Sequence, residues 1–129
     1  MHDIRLIQDT VNYIHHNLTK NLTLEELSAH VSFSPYYFHR LFVLHTGEAP
    51  MEYIRRLRLK FASEDLLASS LGMTDIASKY RFESQDGFCR AFKKYYGVTP
   101  GKYRSLNQGI KAAAEMRRKE DVNIMYELK

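Results

Sequence analysis

The sequence predicts an all-α fold of two helix-turn-helix lobes joined by a long central helix. Three observations carry that reading. Apolar residues recur at helical spacing through most of the chain, and no stretch before residue 107 alternates convincingly with period two. Cap and stop signals punctuate the helical stretches at short intervals. Finally, the chain repeats itself: Leu27, Val31 and Phe33 correspond to Ile76, Tyr80 and Phe82 at an offset of 49, and Phe38, Arg40, Phe42, Gly47, Pro50 and Tyr53 correspond to Phe88, Arg90, Phe92, Gly97, Pro100 and Tyr103 at an offset of 50. So many unlike residues in register mean two copies of one supersecondary unit: a short helix, a turn and a longer helix.

The elements follow in order. Ile4, Ile7, Val11 and Ile14 share one face of a first helix over about residues 3 to 17. Thr23 followed by Glu26 is a capping box that opens a second helix with Leu24, Leu27 and Val31 inward. Ser32 and Phe33 make a turn, and Ser34 with Pro35 supplies a cap and a pre-set first helical residue. That third helix carries Phe38, Leu41 and Phe42 inward and stops at Thr46-Gly47. Pro50 opens the central helix, 50 to about 68, with Ile54, Leu57, Phe61, Ala62 and Leu66 inward. Gly72 closes this stretch. A short helix over 74 to 80, a turn at Arg81-Phe82, a helix over 84 to 96 and a final short helix over 99 to 105 complete the second unit.

Composition bounds the function. With 129 residues, 44% of them hydrophobic, the chain can build one ordinary domain or two small ones sharing a surface. A net charge of +4 and a pI near 9.2 permit a polyanionic partner. The charge is unevenly placed: residues 1 to 30 carry two Lys/Arg against four Asp/Glu, whereas residues 31 to 60 carry five against two, mostly in "RRLRLK". A single cysteine, Cys89, excludes an internal disulfide framework and a Cys-rich zinc site. Neither a secretory signal nor a membrane-spanning run is visible, so a cytoplasmic protein without a membrane partner is expected.

Catalysis is not expected. His15 and His16 are adjacent and diverge around a helix, His30 and His45 lack the H-E-x-x-H spacing, and no Gly-rich phosphate loop is present. No cofactor and no metal are anticipated.

A helix packed across a second helix presents the outer face of the latter to a major groove. In the first unit, packing of Phe38, Leu41 and Phe42 leaves Tyr36, Tyr37, His39, Arg40 and Val43 outward. In the second, packing of Phe88, Ala91 and Phe92 leaves Gln85, Asp86, Cys89, Arg90 and Lys93 outward. Arg40 and Arg90 suit guanine, Gln85 suits adenine, His39 can donate or accept at a base edge, and Tyr36 can press on a thymine methyl or reach a phosphate. The competing reading is a helical protein-interaction module, contacting RNA polymerase for instance, with DNA binding secondary. Its basic, aromatic faces would serve a protein surface nearly as well as a groove.

Residues 4 to 106 resemble the DNA-binding domain of the AraC/XylS family of bacterial transcription regulators, and the small stand-alone members of that family. The resemblance is strongest in "DIASKYRFESQDGFCRAFKKYYGVTPGKYR", and "NLTLEELSAHVSFSPYYFHRLFVLHTGEAPMEYIRRLRLKFA" supplies the first unit and the connecting helix. It implies a DNA-binding domain over 1–106, with lobe one at about 4–49, the linking helix at about 50–68 and lobe two at about 72–106. It also implies recognition helices in successive major grooves of double-stranded promoter DNA, an activator's role, and nucleoid association when bound. Base reading then falls on Tyr36, His39, Arg40, Gln85, Asp86, Cys89 and Arg90. Backbone contacts fall on Ser34, Tyr37, Arg55, Ser84, Lys93, Lys94, Lys102 and Arg104.

The chain departs from the family pattern in several places. Ser32 and Arg81 stand where the turn commonly has Gly, and a positive φ at Arg81 would cost roughly 1 kcal/mol. Val43 and Leu44 replace a typical basic pair. Gly87 lies inside the second recognition helix, and Asp86 faces phosphates unless it serves the helix terminus or accepts from a cytosine. Cys89 has no neighbouring Cys/His cluster that would support the alkyl-transfer chemistry of some relatives.

The two reading faces are unlike and already covalently joined, so a monomer on an asymmetric site is expected, with regulatory input elsewhere. Residues 107–129 read as a tail or as the start of a missing C-terminal domain, with a helix over 112 to 118 and a weak strand-like alternation of Val122, Ile124, Tyr126 and Leu128.

Overall fold

The computed structural model describes residues 2–127, with side chains described through Arg117 except Ala112. Its helices are α1 (His2–His16), α2 (Leu24–His30), α3 (Pro35–Thr46), α4 (Pro50–Ala68), α5 (Met73–Lys79), α6 (Gln85–Tyr96) and α7 (Pro100–Glu127). The first six match the expected elements within a residue or so at each end.

Local chemistry explains the boundaries. Thr23 accepts the Glu26 N–H at 3.2 Å, Ser34 accepts the Tyr37 N–H at 3.1 Å and Ser84 accepts the Gly87 N–H at 3.0 Å, each satisfying a donor that the helix start leaves orphaned. Helices α3 and α6 end on Gly47 and Gly97 at φ 83 and 82, the left-handed conformation that glycine takes freely. Both inner turns are built alike. The Ser32 and Phe33 N–H groups bond back to the carbonyls of Ala29 and Ser28, and those of Arg81 and Phe82 to Ser78 and Ala77, closing helices α2 and α5. Ser32 and Arg81 accordingly sit at φ 60 and 66, so each turn is formed without glycine and holds backbone strain.

Two cores form, one per lobe. Ile7, Ile14, Phe38, Phe42, Ile54 and Leu57 belong to the first; Leu59, Leu66, Ile76, Tyr80, Phe88 and Phe92 belong to the second. The central helix therefore changes lobes between Leu57 and Leu59. The repeat extends to the aromatic packing: Tyr53 meets Phe42 edge-on at 5.4 Å, and Tyr103 meets Phe92 in the same way at 5.4 Å. Leu59 is buried although it is not among the expected inward positions of α4, and Phe61 packs half-buried against both clusters.

One element differs from expectation. The final short helix over 99 to 105 is the first part of α7, which starts with Pro100 behind a Thr99 cap and continues to Glu127. It runs through 112 to 118 and through the alternating stretch at 122 to 126 as helix, while Leu128 lies outside the described residues. A lone alternating stretch has no partner strand, and a helix satisfies its backbone groups internally. The Ala112-Ala113-Ala114 run favours the same outcome.

Candidate nucleic-acid interface

The outer face of α3 starts from its packing. With Phe38 and Phe42 completely buried, Tyr36, Tyr37, His39 and Arg40 are left exposed. Tyr36 is 72% exposed, and the Arg40 guanidinium lies over its ring at 5.8 Å, a cation–π contact that holds the arginine above the surface. The side chains of His39 and Arg40 make no hydrogen bond among the described residues, which leaves their polar groups available to a ligand. Tyr37 is engaged: its hydroxyl donates to Asp3 of α1, and this bond, more than anything else, raises its pKa. Farther along, Val43 and Leu44 are exposed where a basic pair would have held phosphates, and His45 bonds to Gln8 at 2.7 Å.

On α6, Asp86, Arg90, Lys93 and Lys94 are exposed. Asp86 lies in the first turn, where its charge is favourable to the helix macrodipole whatever it meets outside. Gln85 is exposed with its carbonyl oxygen accepting from the Thr74 hydroxyl at 2.7 Å, so α5 orients its amide. A Cβ on Gly87 would stand 3.2 Å from the capping Ser84 oxygen, a tight but adjustable contact. Cys89 differs from the expected outward placement. It lies half-buried against the second core, and desolvation, then the Asp86 charge, pushes its thiol pKa up. Only part of its side chain faces outward, and it remains a thiol at neutral pH.

The expected backbone-contacting residues separate into two groups. Ser34 and Ser84 cap their helices with oxygen lone pairs, which leaves each hydroxyl proton free to donate to a phosphate. Arg55 and Lys102 are exposed. Arg104 has a different job: its guanidinium donates to the carbonyls of Leu66, Leu71 and Ser69 at 2.8, 2.7 and 3.3 Å, tying α7 to the end of α4. This geometry commits its donors to the protein and removes it from the surface pool.

The "RRLRLK" run disperses in the same way, because successive residues point about 100° apart on a helix. Arg56 pairs with Glu48 at 2.8 Å, while Arg58 is half-buried and donates to the carbonyls of Leu18 and Lys20 at 3.0 and 2.8 Å. Arg55 remains outward and lines a cleft of about 430 Å³ between α4 and the second lobe, together with Arg58, Arg81, Arg90, Glu52 and Ser84. Arg58 and Arg81 line this cleft although neither is among the interface residues expected from the sequence. The i, i+3 spacing of Arg55 and Arg58 on α4 was the available signal.

Comparison with known proteins places this geometry in context. A helix-turn-helix domain family matches residues 27–105. The chain is 39% identical over 102 residues to the uncharacterised HTH-type transcriptional regulator YbfP of Bacillus subtilis, covering 79% of this chain and 35% of YbfP. It is 36% identical over 104 residues to the HTH-type transcriptional activator AarP of Providencia stuartii, covering 81% of this chain and 77% of AarP. The fold matches the DNA-binding domain of the global transcriptional factor AdpA, solved with a target DNA, at a TM-score of 0.79 and 24% identity over 82% of this chain and 96% of that one. The chain thus spans about a third of one of these relatives and most of the other two.

Proposed function

The chain belongs to the AraC/XylS family of helix-turn-helix transcription regulators, and from that premise we propose that it reads double-stranded promoter DNA through α3 and α6 in two successive major grooves. The chemistry is recognition of an existing duplex, not an enzymatic reaction. The observation that carries the reading is the duplicated surface. Arg40 and Arg90, equivalent in the repeat, are exposed on equivalent helices whose N-termini are capped by equivalent serines.

In this reading Tyr36, His39 and Arg40 meet base edges in one groove, while Gln85, Asp86 and Arg90 do so in the next, with a smaller contribution from Cys89. The Ser34 and Ser84 hydroxyls, Arg55, Lys93, Lys94 and Lys102 fix the register on phosphates, whereas Tyr37, expected among them, has its one hydroxyl proton committed to Asp3. Simultaneous docking needs the two helices about one turn of B-DNA apart, roughly 34 Å. One protomer suffices, because the two faces are covalently joined and differ in sequence. Promoter activation follows the example of AarP, with RNA polymerase as a second partner in the bacterial cytoplasm. Residues 1–106 form the DNA-binding domain, and 107–129 serve as a tail or lead into a further domain. No helix among the described residues is long and apolar enough to cross a membrane.

Selection of bound duplexes from a random pool tests the proposal. The expected result is one asymmetric consensus with two conserved blocks about ten base pairs apart, and affinity that falls steeply with salt. Recovery of no sequence preference would overturn it. A salt-insensitive complex with a protein partner and weak, unselective DNA binding would favour the interaction-module reading.

A further inference from the structure

The two lobes share little besides α4. Among the closely packed helix pairs none joins α1, α2 or α3 to α5, α6 or α7, and among the described residues Phe61 alone packs against both cores. A single 19-residue helix, about 28 Å long, fixes an axis but leaves the lobes able to rock about it as the helix bends. A second, off-axis connection is present. After α1 ends at His16, the carbonyls of Leu18, Thr19 and Lys20 meet two guanidinium groups, Arg58 from the central helix and Arg81 from the inner turn of the second lobe. Arg58 donates to Leu18 and Lys20 at 3.0 and 2.8 Å, and Arg81 donates to Thr19 at 3.0 Å.

These contacts are not incidental packing. Arg58 is half-buried, and Arg81 is near enough that its charge adds to the burial that lowers the Arg58 pKa. Two like charges are kept side by side by three consecutive carbonyls just beyond the negative end of α1. Arg81 also occupies a left-handed backbone position at φ 66, where glycine would avoid the strain but have no side chain to reach Thr19. The equivalent residue in the first lobe, Ser32, has the same conformation at φ 60 and is too short for such a reach. Arg81 is the second residue of the turn leading to α6, so whatever holds it holds the recognition helix of lobe two.

We propose that Arg81 and Arg58 clamp the Leu18–Lys20 carbonyls to fix the angle between α3 and α6, and so set how many base pairs the protein accepts between its two half-sites. The proposal rests on the two-groove reading above. Arg81 and Arg58 act as positioning residues: they specify spacing by holding the lobes, without reading a base. A one-base-pair insertion turns the second half-site by about 35° and moves it about 3.4 Å, beyond what a clamped pair of lobes can follow.

The test uses the full chain, Arg81→Gly, and the double variant Arg81→Gly with Arg58→Met. Glycine suits the turn, so the single variant keeps its fold. Residual dipolar couplings of the α3 and α6 amides in the free protein report the lobe angle without DNA. Wild type should fit one alignment frame, and the variants should need two. On the selected duplex and on versions with one base pair inserted or deleted between half-sites, wild type should lose about tenfold or more, and the variants about threefold or less. A common alignment frame in both variants would overturn the clamp regardless of DNA. Two frames combined with unchanged spacing discrimination would overturn its role in specificity. Absence of any preferred duplex for wild type would sink the two-groove reading, while the couplings would still decide the clamp.

Discussion

Replacing Arg40 or Arg90 with alanine separates base reading from every other use of an arginine. Neither side chain pairs with a carboxylate or donates to a carbonyl among the described residues, and both are exposed, so stability should change by no more than about 1 kcal/mol. Alanine at position 40 removes the guanidinium stack on Tyr36 at 5.8 Å, worth about 0.5 to 1 kcal/mol at an exposed site. On cognate DNA each substitution should cost about 1 to 3 kcal/mol, or roughly 5- to 150-fold in affinity, if the fork meets a guanine. Fluorescence-anisotropy titrations against the selected duplex, and against one with the contacted base changed, should show the variant nearly indifferent to that change. Lys93→Ala or Lys94→Ala, in contrast, should weaken all duplexes alike and reduce the slope of log affinity against log salt by about 1. Equal losses on cognate and random duplexes for all four variants would refute the assignment of Arg40 and Arg90 to bases.

Three further outcomes concern the scaffold. Gly47→Ala and Gly97→Ala should each destabilise by about 1 kcal/mol in urea unfolding, because a Cβ there meets nothing within 4 Å and the whole cost is the left-handed backbone. Tyr80→Phe should cost about 1.5 kcal/mol by thermal denaturation, since the hydroxyl donates to Asp65 at 2.8 Å and Lys79 at 2.7 Å remains to hold the carboxylate. His15, bonded to the Tyr53 hydroxyl at 2.8 Å, has its pKa lowered first by burial and then by Lys60, His16 and Arg56. The folded protein therefore binds that proton less readily than the unfolded chain. The resulting stability is present above the ordinary histidine value of about 6.5 and is lost as pH falls through the lowered one, a slope that His15→Gln should flatten in urea titrations.

The fold was legible because its signals are local and doubled. Ser34-Pro35, Thr46-Gly47 and their second-copy counterparts fix helix ends through backbone hydrogen bonding, and the repeat checks each boundary twice. The end of α7 was less legible, since nothing after Ser105 terminates a helix: Gly109 is tolerated within it, and a short alternating stretch invites a strand that has no partner. In the interface, exposure of Tyr36, His39 and Arg40 follows from the helical period once Phe38 and Phe42 are known to be buried. The fates of Arg56, Arg58 and Arg104 do not follow from it. Their acceptors, a glutamate 8 positions away and carbonyls 33 to 40 positions away, are brought near only by tertiary packing. The helical period puts Cys89 outward, yet the residue sits at the margin of the apolar stripe, where a small side chain turns toward the core.

The division of labour between the copies follows from the same distinction. What maintains the recognition helix is duplicated: the capping serine, the paired phenylalanines, the terminal glycine, and the tyrosine set edge-on against the second phenylalanine. Outward, Arg40 and Arg90 are repeated and their neighbours are not. Helix α3 presents aromatic and apolar residues, Tyr36, Val43 and Leu44, around a single arginine, whereas α6 presents Asp86, Arg90, Lys93 and Lys94. In the proposed two-groove reading, the second copy then carries most of the phosphate attraction, and the first contributes contacts that depend on shape and thymine methyls more than on charge. With the lobes clamped, release from the duplex is expected to be concerted, and the charge difference shows in the salt slope: Lys93→Ala should reduce the slope of log affinity against log salt by about 1, Val43→Ala or Leu44→Ala should leave it unchanged, and equal slopes for all three variants would refute the division.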